Sequence, residues 1–249
     1  MVFYVAYRAP QECKGRSIIP HRLKALGCER VHRSFWEVEE ESVNRVLKGL
    51  EKNHPILLRR VREIKKPRFA KNNGIPDLGS LIIIAYATPR EVKREKTKNF
   101  LRKAPCIRLC RSVYAFSQNH TLFDKKDELV DALKFEDFIK VIEEDVKVIP
   151  RVVVADRNSV EMLLEEIRQQ IESDVSDIIM CCRELYDRAL EGEHDIQRIQ
   201  DLLSKNRRRF VTLKKVAVFY EKWLRMDFSR SLMRAYRAVE KVNAIVSGN

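Results

Sequence analysis

Two stretches of the chain, VFYVAY at 2–7 and LIIIAYA at 81–87, are apolar over strand length, and each is followed by a proline, Pro10 and Pro89. Their apolar side chains fall on both faces of a strand, so each strand is expected to be covered on both sides. A helical pattern follows each. In the second, PREVKREKTKNFLRKA sets Val92, Lys96 or Thr97, and Phe100 at helical spacing against a dense polar face. In the first, SIIPHRLKALG is less regular: Pro20 belongs in a first turn and Gly27 is a stop signal. HRSFWEV at 32–38 and CRSVYAF at 110–116 then read as strands. In the first copy a helix led by Ser42 and the strand ILLRRVREI follow; in the second, a longer acidic helical segment and the strand VKVIPRVVVAD, interrupted at Pro150.

The parallel extends to single residues. At an offset of 79, Ala6, Tyr7 and Pro10 meet Ala85, Tyr86 and Pro89; at 78, Leu23, Cys28, Arg30, Arg33 and Ser34 meet Leu101, Cys106, Arg108, Arg111 and Ser112, and Trp36 meets Tyr114. So many matches in order are best explained by a duplicated unit. The element order β-α-β-(β)-α-β is the split βαβ, ferredoxin-like arrangement, whose helices cover one face of the sheet only. The other face of each copy is apolar too. The expected fold is therefore α+β: two tandem ferredoxin-like units packed sheet to sheet as a pseudo-dimer. The units are expected at 1–66 and 81–157, joined by a linker at 67–80 rich in Pro, Gly and Asn.

From residue 158 to 249 the pattern changes to long helices. Apolar residues at 160, 164, 167, 171, 175, 178, 182 and 185 alternate in steps of three and four. Glu191-Gly192-Glu193 reads as a turn. Two more amphipathic stretches meet near Asp227-Phe228-Ser229, where Asp227 or Ser229 can cap the last helix. A small antiparallel helical bundle is expected, with room for a protein partner.

Charge narrows the range of partners. The 49 Lys and Arg exceed the 36 Asp and Glu, giving +13. Residues 1–80 carry 17 basic and 9 acidic side chains, 81–157 carry 16 and 12, and 158–249 carry 16 and 15. The positive field thus belongs to the duplicated region and points to an anionic partner. No basic lead-in precedes the first strand and no apolar run approaches membrane-spanning length, so a cytoplasmic protein without membrane association is expected. The six cysteines are expected as reduced, packed thiols.

The residues expected to contact nucleic acid are Arg30, Arg33, Arg108 and Arg111 on the paired strands and Arg59, Arg60 and Arg62 on ILLRRVREI. Lys65 and Lys66 just before the linker, Arg68 within it, and Arg207, Arg208 and Arg209 between helices complete the set. Equivalent arginines on a pseudo-dimer would form a two-fold array suited to phosphates of a duplex, with little base reading. Duplex DNA is favoured, with RNA open. The alternative is a solvated surface with local pairs, such as Arg33 facing Glu37, or a basic helix end for 207–209. Trp36 and Tyr114 are expected in the core rather than stacked on bases. The chain contains no G-x-G-x-x-G, Walker A, H-E-x-x-H or G-x-S-x-G motif. No catalytic residue, metal site or cofactor is expected.

VFYVAY, RLKALGCERVHRSFWEV and their second copies resemble the small CRISPR-associated ferredoxin-like proteins that scaffold the spacer integrase and are also classed as metal-dependent endonucleases. The resemblance covers about residues 2–65 and 81–155. In that family an acidic, metal-binding residue follows the Tyr that ends the first strand; here those positions are Arg8 and Ala87, neither able to ligate a divalent cation. The resemblance thus implies a non-catalytic DNA-binding regulator or scaffold, with a divalent-metal nuclease as an alternative. KALGCERVHRSFWEV and WLRMDFS also resemble the chromate-resistance regulatory family, which would imply an oxyanion- or redox-responsive regulator. A scaffold whose basic face meets an acidic protein is the remaining alternative.

Overall fold

The computed structural model describes residues 1–8, 18–69, 77–87, 91–123, 128–190 and 196–248. The chain is α+β and divides into two compact units, one of residues 1–124 and 130–164, the other of residues 125–129 and 165–249. In the first unit the strands are β1 (Val2–Ala6), β2 (Glu29–His32), β3 (Phe35–Glu39), β4 (Ile56–Arg60), β5 (Leu81–Tyr86), β6 (Cys106–Cys110), β7 (Val113–Ser117) and β8 (Val146–Val154). Helices α1 (Ile18–Ala25), α2 (Val43–Leu50), α3 (Glu91–Leu101) and α4 (Ala132–Ile142) intervene, so that β-α-β-β-α-β occurs twice in succession. All eight strands form one antiparallel sheet in the order β2-β3-β1-β4-β8-β5-β7-β6.

Strand parity divides the apolar residues between two cores. On the first half of the sheet Val5, Trp36 and Leu57 share one face and pack against Leu23 of α1 and Val43, Val46 and Leu50 of α2. On the second half Ile82, Ile84, Tyr86 and Phe116 pack against Ala132, Phe135 and Ile139 of α4. The opposite, helix-free faces are also buried: Ala6, Phe35, Ile56 and Leu58 on one half, and Leu81, Ile83, Val113, Ala115 and Val152 on the other, all at 0 % exposure. Hydrogen bonds between the halves show how. Arg8, beyond the end of β1, donates from Nε to the Leu109 carbonyl on β6 at 2.9 Å, and Cys110 Sγ approaches the Ser34 carbonyl at 3.6 Å. In a flat sheet β1 and β6, five strands apart in the order, would be about 24 Å apart. The sheet therefore folds back on itself and its helix-free faces meet.

The expected stacking of two sheets thus takes a different form: there is one sheet, and β8 carries the chain from one half to the other. Its first part pairs with β5 (Val146↔Tyr86, Val148↔Ile84) and its last with β4 (Val152↔Arg60, Val154↔Leu58). Between them Arg151 has φ 59 and the β5 register shifts, so the interruption expected at Pro150 is a bend within a continuous strand.

A second correction concerns HRSFWEV. It is not one strand but a hairpin, β2 ending at His32 and β3 starting at Phe35, with Arg33 and Ser34 in the turn; Arg111 and Ser112 occupy the matching turn between β6 and β7. Arg33 and Arg111 are therefore turn residues rather than strand residues. The apolar residues on either side of Arg-Ser face the core from two antiparallel strands, a pattern that a single bulged strand would also produce. The main-chain bonds repeat: Tyr7 N–H donates to the Ser34 carbonyl at 3.0 Å and Tyr86 N–H to the Ser112 carbonyl at 3.1 Å.

Gly27 acts as the stop signal read from the sequence. Gly27 has φ 79, and the amides of Gly27 and Cys28 donate to the carbonyls of Lys24 and Leu23, closing α1 with a Schellman motif. Asp131 caps α4 by accepting from the Lys134 amide at 2.9 Å. Of the expected linker, 70–76 lie outside the described residues, while Arg68 pairs with Asp77 in an isolated bridge.

Helix α5 (Arg157–Leu190) begins in the first unit, and its greater part joins α6 (Ile196–Leu224) and α7 (Ser229–Gly248) in the second. The helices run up-down-up. Asn206 of α6, buried, donates to the Ile178 carbonyl and approaches Cys182 Sγ on α5, while Arg209 reaches Asp174 and Asp177. Phe210 lies against Tyr236 of α7, and Phe219, Tyr220 and Trp223 form an aromatic cluster. The Asp227 carboxylate accepts from the Ser229 amide at 2.8 Å, which holds its pKa below the usual carboxylate value. Among the described residues no helix is long and apolar enough to cross a membrane.

Candidate nucleic-acid interface

Strand register separates the sequence-selected arginines of the first unit into two groups. β1 and β5 both end where the turns of the two hairpins lie, since Ala6 pairs with Phe35 and Ala85 with Val113. The Arg8 and Cys110 contacts place these two strand ends together. This end of the folded sheet therefore carries Arg30 and Arg33 from one hairpin, Arg108 and Arg111 from the other, and Arg8. Arg30, Arg33, Arg108 and Arg111 are exposed. Arg30 lies over the Trp36 ring, its guanidinium carbon 5.9 Å from the ring centroid. Trp36 itself is fully buried, and Tyr114 is half-buried and stacked on Tyr86; both rings serve the core.

Arg8 is the member of this group that sequence reasoning treated only as a lost metal ligand. Its guanidinium donates to the carbonyls of Leu109 and Arg108 and so joins the halves. The signal for such a role was weak: an arginine directly after a fully buried strand must find polar partners nearby.

His32 occupies the same end. Its imidazole shares a hydrogen bond with the main chain of Tyr86 in the other half, and its Nδ1 is buried without a partner. Burial, and then Arg33 and the more weakly acting Arg30, lower its pKa; the Tyr86 main chain and Asp145 oppose them. The sign follows directly. A histidine whose folded pKa lies below its unfolded value of about 6.5 binds its proton more readily in the unfolded chain, so stability is complete above that pH and declines below it. Urea unfolding between pH 7.5 and 5.5 should show this decline, and His32→Gln should flatten it. An unchanged slope in the variant would remove His32 as its source.

The second group gathers at the other end of β4. Arg59 and Arg60 pair with Val153 and Val152 of β8, the Val61 amide donates to the Arg151 carbonyl, and Arg151 Nη1 donates to the Arg62 carbonyl. Arg151, exposed, is the basic residue here that sequence reasoning missed, because only the β8 bend brings it to β4. Arg60 lies near Tyr4 and Glu37; burial first, then Glu37, raise the Tyr4 phenol while Arg60 lowers it. Glu37 thus faces Tyr4 and Arg60 rather than Arg33. Arg59 is half-buried with its Nε unpartnered. The exposed Lys65, Lys66 and Arg68 continue from Arg62, held by reciprocal bonds: Ser80 N–H donates to the Lys65 carbonyl and the Lys65 amide donates to Ser80 Oγ, both at 2.8 Å.

Arg207, Arg208 and Arg209 lie on α6 in the second unit. Arg209 is held by Asp174 at 3.2 Å and Asp177 at 2.8 Å, Arg207 lies 3.9 Å from Glu240, and Arg208 is exposed. None of them is at a helix end, the position that a dipole role would require.

Cys13 lies outside the described residues, and no thiol is pushed to a low pKa among the described cysteines. Burial pushes Cys110 up to about 12 and also raises Cys28, Cys181 and Cys182. Among the described residues no group of three or more His, Cys, Asp or Glu is placed to hold a metal ion.

No protein-family model, curated protein or solved structure matches this chain.

Proposed function

We propose that this chain associates with nucleic acid, contacting the phosphates of a duplex, DNA in preference to RNA, through the arginines at the hairpin end of its folded sheet. Two ferredoxin-like halves, the product of an internal duplication, present that surface. Their strand orders β4-β1-β3-β2 and β8-β5-β7-β6, and the matched Tyr7–Ser34 and Tyr86–Ser112 bonds, support this reading. The observation that carries it is that the two hairpins bearing Arg30 and Arg33, and Arg108 and Arg111, lie at one end of the folded sheet, joined through the Arg8 and Cys110 contacts. Exposed arginines of this kind offer charge to backbone phosphates without reading bases. Arg8 fills the place where the resembled endonucleases carry a metal-binding carboxylate, and its guanidinium holds main-chain carbonyls, which favours a scaffold or regulator over a nuclease.

A salt series tests this. Duplex DNA binding to the wild type is expected to weaken steeply with salt, and Arg33→Ala with Arg111→Ala to reduce the log–log slope by about 1.8, at roughly 0.9 per phosphate contact. Both are exposed turn residues, so the double variant should melt like the wild type. A slope and affinity unchanged by the double variant would defeat the proposal.

A further inference from the structure

The two helix layers differ at one matched pair of positions. On α2 the buried residues are Val43, Val46 and Leu50; on α4 they are Ala132, Phe135 and Ile139, at the same spacing. Phe138 therefore stands where Gly49 stands. The register that sets Leu23 against Leu101 sets Arg22 against Phe100 in the same way. In the second half Phe100 and Phe138 stack at 4.1 Å with an interplanar angle of 13°, closing the seam between α3 and α4. In the first half Arg22 and Gly49 border an open apolar groove of about 330 Å³, which Leu23, Leu26, Val46 and Leu50 also line. A Cβ added at Gly49 would meet nothing within 4 Å.

Charge identifies the occupant. Arg22 and Lys24 on α1 and Arg45 and Lys48 on α2 are exposed, and neither helix contains an Asp or Glu. We propose that this groove docks an acidic amphipathic helix of a partner protein, which inserts an aromatic side chain beside Gly49 where the second half uses its own Phe138. Its apolar face meets the groove as helix-in-groove ligands do, and its carboxylates meet the four cations. The inference does not depend on nucleic-acid binding.

The probe is a fluorescein-labelled synthetic helical peptide of about 15 residues, with Phe and Leu four apart on one face and Glu on both flanks. It is titrated into the full-length protein by fluorescence anisotropy. Saturable binding is expected, weakened about tenfold or more by Gly49→Phe, which fills the groove. That variant should melt no lower than the wild type, since it replaces a glycine within a helix. Lys24→Glu with Lys48→Glu should weaken the acidic peptide and strengthen a Lys-flanked one, a readout independent of groove filling. No saturable binding, equal binding by Gly49→Phe, or indifference to peptide charge would each overturn the proposal.

Discussion

Phe135→Ala is expected to destabilise the first unit by about 3–5 kcal/mol, the range for deleting a fully buried aromatic ring. Phe135 has 0 % exposure on α4, and four rings surround it: Tyr86 at 5.9 Å, Tyr114 at 6.2 Å, Phe116 at 5.2 Å and Phe100 at 6.5 Å between centroids. Two of these contacts are edge-on, the geometry aromatic quadrupoles prefer, so the loss includes directed attraction as well as apolar area. The neighbours are on β5, β7 and α3, elements that also pack with others, so they cannot collapse into the cavity together. Urea unfolding followed by tryptophan fluorescence and circular dichroism measures the loss. Phe135→Leu, which leaves a smaller void, should cost less. A loss under about 1 kcal/mol for the alanine would mean that the ring is not the centre of this core.

The second large effect is expected from one carbon atom. Gly79 has φ 71, and a Cβ there would lie 2.8 Å from both the Lys65 carbonyl oxygen and the Pro67 nitrogen, backbone atoms that cannot move independently. Gly79→Ala combines a left-handed conformation, about 1–2 kcal/mol for a residue with a Cβ, with overpacking of about 1–3 kcal/mol. A total near 3 kcal/mol corresponds to a fall in melting temperature of about 6–12 °C for a protein of this size. The change also reaches the charged surface. Segment 77–80 holds 65–68 in place through the Ser80–Lys65 and Arg68–Asp77 bonds, so forcing it outward displaces Lys65, Lys66 and Arg68. Gly49→Ala is the control. It meets nothing within 4 Å and is expected to leave stability unchanged or raise it by up to about 1 kcal/mol. Equal melting temperatures for Gly79→Ala and the wild type would show that the turn can relax.

The two effects differ in how visible they were beforehand. Phe135 lies in a stretch that the sequence already marked as an acidic helix, so the element that carries it was legible, though its place at the centre of a core was not. Gly79 stood in a segment read as a linker by composition, and nothing local indicated that its carbon would meet Lys65 and Pro67. The Arg-Ser phrases show the same division. Their repetition was legible and pointed to equivalent places in two halves; that they are turns was not, because a tight hairpin and a bulged strand leave similar apolar patterns. Arg209 illustrates the converse. It was one of three basic neighbours in sequence, but Asp174 and Asp177, a helix away, hold it.

Hydrophobic periodicity by itself determined most of the elements, the hairpins excepted, the twofold recurrence of their order and the demand that each sheet face be covered, because these depend on spacing along the chain and on the free energy of burying apolar groups. The tertiary structure alone decided that β8 would serve both halves, that Arg8 would hold carbonyls across their junction, and that one seam between helices would close on Phe100 and Phe138 while its counterpart stayed open. Those outcomes depend on which surfaces meet at atomic distance. A pairing across a folded sheet joins residues a hundred positions apart, beyond the reach of any local pattern.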